Sequence, residues 1–481
     1  MQPFTFAEFQ LSAKNAARIA VFEEMPAGKL TPVIIYALLH KTQKTEGVIF
    51  EDLYHEDRAR YSFICFDPIS TFSIKNDHNN NPLAALRERQ TPLTFSTRNE
   101  VAHLITSAAG FITYDAVRYF EDIPDRHAAD STLPDILFNF YALSLAFDHK
   151  RQTILVSIVV ETGPQPEKIY HHAREKIAKI ISLLTTATAA ETTHLSIENG
   201  KQAATVKKIE TDTSDTDFMQ MVEKAKDYII RGDAFQIVIS RCFKRHYSVS
   251  PFAIYKTLRE VSPAPFMFYF PTESSIIIGA SPERLICVHH KEVSINPIAG
   301  TRKRTDEKTD AAIAADLLND TKELAEHMML VDLARNDVGA VSVPGSVHVS
   351  ELLNVKHFSH VSHITSTVIG QLQEKYDALD AFSAAFPAGT LSGAPKIRAM
   401  QIIDELENSR RGLYGGAMCR IDALGNLDSC IAIRMAVLQN GIATIRTGAG
   451  IVYDSNAFTE LQETYQKARS ILEAIAKAHG E

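Results

Sequence analysis

Between Val48 and about Ser157 the apolar residues come in short runs of β-branched and aromatic side chains, broken by turn residues. Tyr61 begins YSFICFD and Thr153 begins TILVSIVV. Runs of this kind predict strands, so the first part of the chain reads as strand-rich with some helices. From Thr185 to Ser214 the chain is rich in Thr, Ala and small polar residues with weak periodicity, which predicts a linker or exposed insertion. Beyond it, Phe218, Met221, Val222, Ala225, Tyr228 and Ile229 recur at helical spacing; Asp215 or Thr216 can cap the start and Gly232 sits where a C-terminal cap belongs. A strand, AFQIVISRCF, follows from Ala234. Two more helices are predicted, over about Thr321 to Arg335 and about Phe458 to His479. Leu324, Met328, Leu330, Val331 and Ala334 form the apolar side of the first, and Leu461, Ala468, Ile471, Leu472 and Ile475 that of the second. No repeat of solenoid period is visible.

Composition narrows the class. The 481 residues carry 50 Lys and Arg against 58 Asp and Glu, a net charge of −8. With 45% hydrophobic and 22% charged residues the chain can bury a large core, in two or three domains or in one large α/β body. The acidic balance, with no basic stripe, excludes a dedicated nucleic-acid binder. Cys65, Cys242, Cys287, Cys419 and Cys430 are scattered and never form a CxxC pair, which fits buried thiols in a reducing compartment. The N-terminus lacks the apolar core of a signal peptide. The longest strongly apolar stretch, around Ile154 to Val160, is far short of the roughly 20 residues of a spanning helix. A cytoplasmic protein without a membrane partner is expected.

Four patterns carry candidate chemistry. Glu323 with Glu326, and Glu460 with Glu463, sit at i, i+3 on predicted helices, so each pair shares a face. Facing pairs could make an all-oxygen site for a hard cation such as Mg²⁺; a solvated face has the same spacing. In FPAGTLSGAPKIRAM, Pro395 is placed as a first helical residue with Ser392 or Gly393 at the cap, and Gly389 and Gly393 bracket a loop entering a helix N-terminus. It lacks the GK[ST] of a P-loop, so a ligand loop and a packed turn both stay open. TGAGIVYD, from Thr447, mimics a dinucleotide fingerprint through Gly448 and Gly450 but has Tyr453 where the third glycine belongs and no following helix. Close backbone approach to a ligand remains open. His357, His360 and His363 lack HExxH logic, leaving a metal site, a lone catalytic imidazole or ordinary core and surface histidines.

Read in order, GDAFQIVISRCF, PFMFYF, GASPERL, NPIAGTRKR, ELAEHMMLVDLARNDVG, FSHVSHITSTVIG, FPAGTLSGAPKIRAMQIIDELE, GLYGGA, IAIRMAV, IRTGAGIVYDS and ELQETYQKA resemble the chorismate-utilising enzymes, from about residue 30 onwards. The resemblance implies an α+β fold, a large strand-rich layered body wrapped by helices. It implies an N-terminal strand-rich domain over residues 1–200, ending in the linker, and a chorismate-binding catalytic domain over 201–481. Glu326 and Glu463 match ligands of Mg²⁺, with Glu323 and Glu460 holding its waters. Glu283 matches the general acid that protonates the departing C4 hydroxyl, and His363 the histidine that moves the C2 proton. Tyr414 and Arg434 match residues holding the enolpyruvyl carboxylate, and Gly300, Thr301, Gly448 and Gly450 those taking the ring carboxylate.

Relatives that add water carry a lysine where this chain has Gln236, and those that aminate at C4 carry one where it has Ala299. Neither base nor nucleophile is present here, which points to the anthranilate-forming branch: chorismate and ammonia to anthranilate and pyruvate, the first step of tryptophan biosynthesis, with aminodeoxychorismate synthase component I, a synthase that stops at aminodeoxyisochorismate, and a catalytically silent regulatory subunit as the alternatives. No cysteine has the glycine flanks of a glutaminase nucleophile, so a separate glutamine amidotransferase subunit is the expected ammonia source. The family's tryptophan-binding feedback elements match a set comprising Glu51, Asp52, Ser62, Pro263, Phe266 and Met267. Asp52 replaces a serine, Ser262 an asparagine and Phe266 a tyrosine, so weakened or absent tryptophan feedback is expected.

Overall fold

The structure is a computed structural model that describes residues 3–43, 45–53, 61–76, 81–90, 99–128, 132–186, 209–304, 309–357 and 361–480. The first strands are β1 (Arg18–Pro26), β2 (Val48–Glu51), β3 (Tyr61–Ile74), β4 (Thr106–Ile112), β5 (Ile136–Asp148) and β6 (Thr153–Glu161). Then come β7 (Glu210–Thr211), β8 (Gln236–His246), β9 (Phe266–Pro271), β10 (Ile276–Ser281), β11 (Arg284–His289), β12 (Glu292–Ile295) and β13 (Ile298–Lys303). The last are β14 (His348–His357), β15 (Val361–Gln371), β16 (Gly393–Ala394), β17 (Ala417–Asp422), β18 (Leu427–Ile431), β19 (Met435–Gln439) and β20 (Ile442–Ile451).

These strands form one hydrogen-bonded antiparallel system that divides at β5. One edge of β5 follows β3 along nearly its whole length; the other meets β4 from Ile136 to Phe140 and β6 from Leu143 to Asp148. From β3 one limb continues through β2, β9, β10, β19 and β20 to β8. From β4 the other continues through β17, β18, β11 and β12 to β15, which also carries β13 and β14. Strands on either side of residue 200 therefore pair directly, β2 with β9 and β4 with β17.

An apolar layer joins the limbs. Val48, Phe268, Phe270 and Met435 from one limb share a cluster with Ala109, Phe111, Met418 and Cys430 from the other. The Phe111 and Phe270 rings meet edge to face at 5.9 Å. Burial of both faces explains why Ser62–Phe66 of β3 reads as an unbroken run rather than an alternation. Helices cover the outer faces. Pro32–Thr42, Pro251–Val261 and the end of Ala457–Ala478 lie over the first limb, Pro166–Thr186 over β1 and β6, and Thr321–Val341 and Ala378–Ala385 over the second limb. Among the described residues no helix is long and apolar enough to cross a membrane.

The chain passes between the limbs at two tight corners. Glu283 lies in the first, between β10 and β11. Arg434 lies in the second, between β18 and β19, at φ +49°. The corners are tied together: the Ile431 amide donates to the Glu283 carbonyl, and the Ala280 amide to the Arg434 carbonyl, each at 3.0 Å.

Several local expectations change. The Asp215–Ile230 helix is capped by Ser214, whose hydroxyl accepts from the Asp217 amide, rather than by Asp215 or Thr216. The helix from Thr321 runs to Val341, because buried Val338 and Val341 carry it past residues of poor helical propensity. Pro395 is the N-cap of Lys396–Leu406 rather than its first residue; Ser392 closes the preceding turn, donating to the Ala388 carbonyl at 3.1 Å. Most of the stretch expected to be a linker lies outside the described residues, its start continuing the helix that ends at Thr186.

Phe268 is fully buried between the limbs, opposite Gly279, where a Cβ would stand 2.1 Å from its ring. Phe268→Ala should destabilise the fold by about 3–5 kcal/mol, read as a lower urea midpoint by circular dichroism. Phe235→Ala, at a side chain 75% exposed, should leave the midpoint within about 0.5 kcal/mol of the parent.

Candidate active site

Both corners open onto a cleft of about 380 Å³. Glu283 lines it, and burial pushes its carboxyl up to about 7, against the lowering effects of the Thr390 hydroxyl and Lys467. Thr390 Oγ1 donates to Glu283 Oε1 at 2.9 Å. A carboxyl so poised still holds its proton near neutral pH and can give it to a leaving group.

His363, on β15, points its Nδ1–H at the Gly300 carbonyl, 3.0 Å away. That bond fixes the neutral ring in the tautomer whose Nε2 accepts. Burial, followed by the Arg434 charge, lowers its pKa, with Gly300 and Glu323 pulling the other way. The imidazole is therefore a neutral base at pH 7. Gly300 occupies a register shift between β13 and β15, at φ +66°. Glycine fits because a side chain would strain that backbone and would stand 3.2 Å from Glu323 Oε2. The backbone of Thr301 pairs with His363. His357 turns instead to the Ser362 hydroxyl at 2.8 Å, and His360 lies outside the described residues. Of the two described histidines, His363 is the one that lines the cleft.

Gly448 and Gly450 lie in β20 opposite Ser240 and Val238 of β8. A Cβ on Gly448 would stand 2.9 Å from the Tyr414 hydroxyl, and one on Gly450 2.6 Å from Gln236 Nε2. The spoiled dinucleotide fingerprint is thus a strand whose glycines leave room for two cleft side chains. Tyr414 is buried, which pushes its phenol up to about 12, so it remains a hydrogen-bond donor at any working pH. Beneath it, Arg411 bonds Glu407, which also accepts from Ser240 and Arg446, forming a buried charged frame. Arg434 and Arg446 both line the cleft.

Glu326, Glu460 and Glu463 line the cleft as well. The protein mass around Glu326, then its neighbours Glu323 and Glu463, raise its carboxyl although it stays solvent-accessible; burial and Glu463 raise Glu460. Carboxylates that oppose one another's ionisation invite a cation, and an all-oxygen donor set suits a hard divalent ion. Two of the four are drawn aside. Glu323 accepts from Arg302 at 3.0 Å, and Glu463 meets Lys467 Nζ at 2.6 Å. Among the described residues no three such side chains are gathered closely enough to hold an ion together. Lys467, which also donates to the Gly448 carbonyl at 2.9 Å, was missed by sequence reasoning, although its i, i+4 spacing from Glu463 was a signal.

A family model of chorismate binding enzymes matches residues 48–473. The chain belongs to the chorismate-binding enzyme family. Anthranilate synthase component 1 of Bacillus caldotenax is 37% identical to this family member over 98% of the chain and 96% of its own length. The protein of that name from Lactococcus lactis is 38% identical over 94% and 98% respectively. Anthranilate synthase component I from Streptococcus pneumoniae superposes with a TM-score of 0.76 at 35% identity, covering 93% of this chain and 99% of its own. The menaquinone-specific isochorismate synthase MenF of Escherichia coli shares the fold, with a TM-score of 0.70 at 18% identity over 97% of this chain and 100% of its own.

A second cavity, of about 350 Å³, is lined by Glu51, Asp52, Phe266, Met267 and Arg284 among others. Glu51 is held by the Tyr255 hydroxyl at 2.6 Å and Arg259 Nη2 at 3.0 Å, while burial raises its carboxyl. Ser62 sits between the lining residues Tyr61 and Phe63, its hydroxyl 2.7 Å from His149 Nε2. Pro263 precedes the wall, which begins at Pro265.

The His363 ring should titrate below an ordinary histidine and show the Nδ1–H tautomer at pH 7 in long-range ¹H–¹⁵N spectra assigned with His363→Asn. A ring that is protonated at pH 7, or that carries its proton on Nε2, would contradict this geometry.

Proposed function

We propose that this enzyme is the chorismate-converting component of an anthranilate synthase, making anthranilate and pyruvate from chorismate and ammonia. One observation carries the choice among family reactions: Gln236 and Ala299, the positions where water-adding and C4-aminating relatives carry lysine, both line the cleft. Neither side chain can activate water or attack the ring.

Arg434 and Tyr414 hold the enolpyruvyl carboxylate, and the backbone of Gly300, Thr301, Gly448 and Gly450 takes the ring carboxylate. Glu283 delivers its proton to the C4 hydroxyl, which leaves as water while ammonia adds at C2. His363 then takes the C2 proton as the ring C–O bond breaks and the ring becomes aromatic; the departing enolpyruvate takes up a proton at its methylene carbon and becomes pyruvate. Glu326 and Glu463 would hold Mg²⁺, with Glu323 and Glu460 on its waters; when bound, the ion supplies Lewis-acid stabilisation and a template for the ring carboxylate. Ammonia comes from a separate glutaminase, in keeping with relatives named as component 1. The thiols here are poor glutaminase nucleophiles, since burial pushes Cys65 and Cys242 up to about 11.

Purified chain with chorismate, Mg²⁺ and ammonium should yield anthranilate and pyruvate, and chelation should abolish the reaction. Isochorismate, a C4-aminated product, or an aminated product retaining the enolpyruvyl group would overturn the assignment. Glu283→Gln should lower kcat by about 10²–10⁴-fold. At fixed free ammonia, kcat/KM should fall as pH rises through about 7, where the acid form of Glu283 is lost.

The second cavity is lined by Glu51, Asp52, Phe266 and Met267, which resemble the family's tryptophan-binding elements, and Asp52 adds a carboxylate to its wall. Saturable micromolar tryptophan binding should therefore be absent. Ligand indole fluorescence reads this directly, because the chain contains no tryptophan; saturable binding with loss of activity would reverse the conclusion.

A further inference from the structure

The FPAGTLSGAPK loop invited a ligand-binding reading, and the reaction above leaves its purpose open. Its backbone is clamped on both sides of Thr390. Arg411 Nη1 donates to the Leu391 carbonyl at 2.6 Å, and Lys396 Nζ to the Ala385 carbonyl at 3.2 Å. Gly389 lies so close to the Thr321–Val341 helix that a Cβ there would stand 1.8 Å from Leu333 Cδ2. So fixed, the loop presents one hydroxyl to the cleft, and that hydroxyl is bonded to Glu283 Oε1.

We propose that Thr390 is a positioning residue for the general acid: by donating to Oε1 it makes that oxygen an acceptor and leaves Oε2 to carry the proton that is transferred. The inference rests on the reading of Glu283 as the acid. An unrestrained carboxyl would divide its proton between two oxygens, only one of which faces the leaving hydroxyl in a given rotamer. The bond also favours the carboxylate, so removing it raises the Glu283 pKa. The other charged groups around Glu283 come from elements other than the Thr390 loop. Lys467 comes from the Ala457–Ala478 helix, Glu326 and Asp337 from the Thr321–Val341 helix, Arg284 from β11, His363 from β15 and Arg434 from the second corner. Asp337 is held by Lys396 at 3.2 Å.

The test compares Thr390→Val, Thr390→Ser and the parent in kcat/KM and kcat against pH, at fixed free ammonia. Thr390→Val should move the basic limb of kcat/KM upward by about one pH unit and lower plateau kcat by about tenfold, with chorismate KM changed less. Thr390→Ser should restore both. A limb that stays put in Thr390→Val, or a serine variant as impaired as the valine one, overturns the proposal. Should Thr390→Val fail to fold by circular dichroism, Thr390→Ala is measured against the same two criteria. A parent that makes no anthranilate sinks the functional reading instead, so the two failures are distinguishable.

Discussion

Two backbone hydrogen bonds between the limb crossings organise this molecule: Ile431 to Glu283 and Ala280 to Arg434. Each joins a corner on the way out of one limb to a corner on the way back. They fix a carboxyl and a guanidinium where the two limbs of the sheet, two helices and a clamped loop converge. A change in pairing upstream, at the division of β5 or in the apolar layer beneath Phe268, would move both groups together, because neither corner has a mobile loop to absorb a shift.

Electrostatics in the cleft follow from that burial. The same exclusion of water raises Glu283, lowers His363 and raises Glu460, so a protonated carboxyl and a neutral imidazole coexist over a shared pH window. The cleft holds cations and carboxylates in proximity, with Lys467 on Glu463 and Arg302 on Glu323.

Much of this could be read along the chain wherever the interaction is local. The glutamate pairs obey helical spacing, and both helices formed where the periodicity put them. Lys467 obeyed the same rule and was passed over. The tolerance of Gly448 and Gly450 for Tyr414 and Gln236 was invisible, because it depends on strands more than 200 residues apart in the case of Gln236 and β20. Glu283 and Arg434 were reached only by resemblance. Nothing in SPERL or IAIRM announces a crossing between sheets, since a corner is defined by which distant strands flank it. The capping errors at Ser214 and Pro395 have a smaller cause: adjacent residues of similar propensity compete, and tertiary contacts choose.

Glu283 and Arg284 are consecutive and line a small pocket together, and each also reaches a larger one. The first lines the catalytic cleft and the second the cavity that holds Asp52, where Arg284 bonds Asp428 and lies 5.3 Å over the Phe266 ring. Glu283 lies in the corner and Arg284 begins β11, so a single peptide unit links the walls of the two larger cavities. Any displacement of the Arg284 backbone is therefore carried through one covalent link to Glu283.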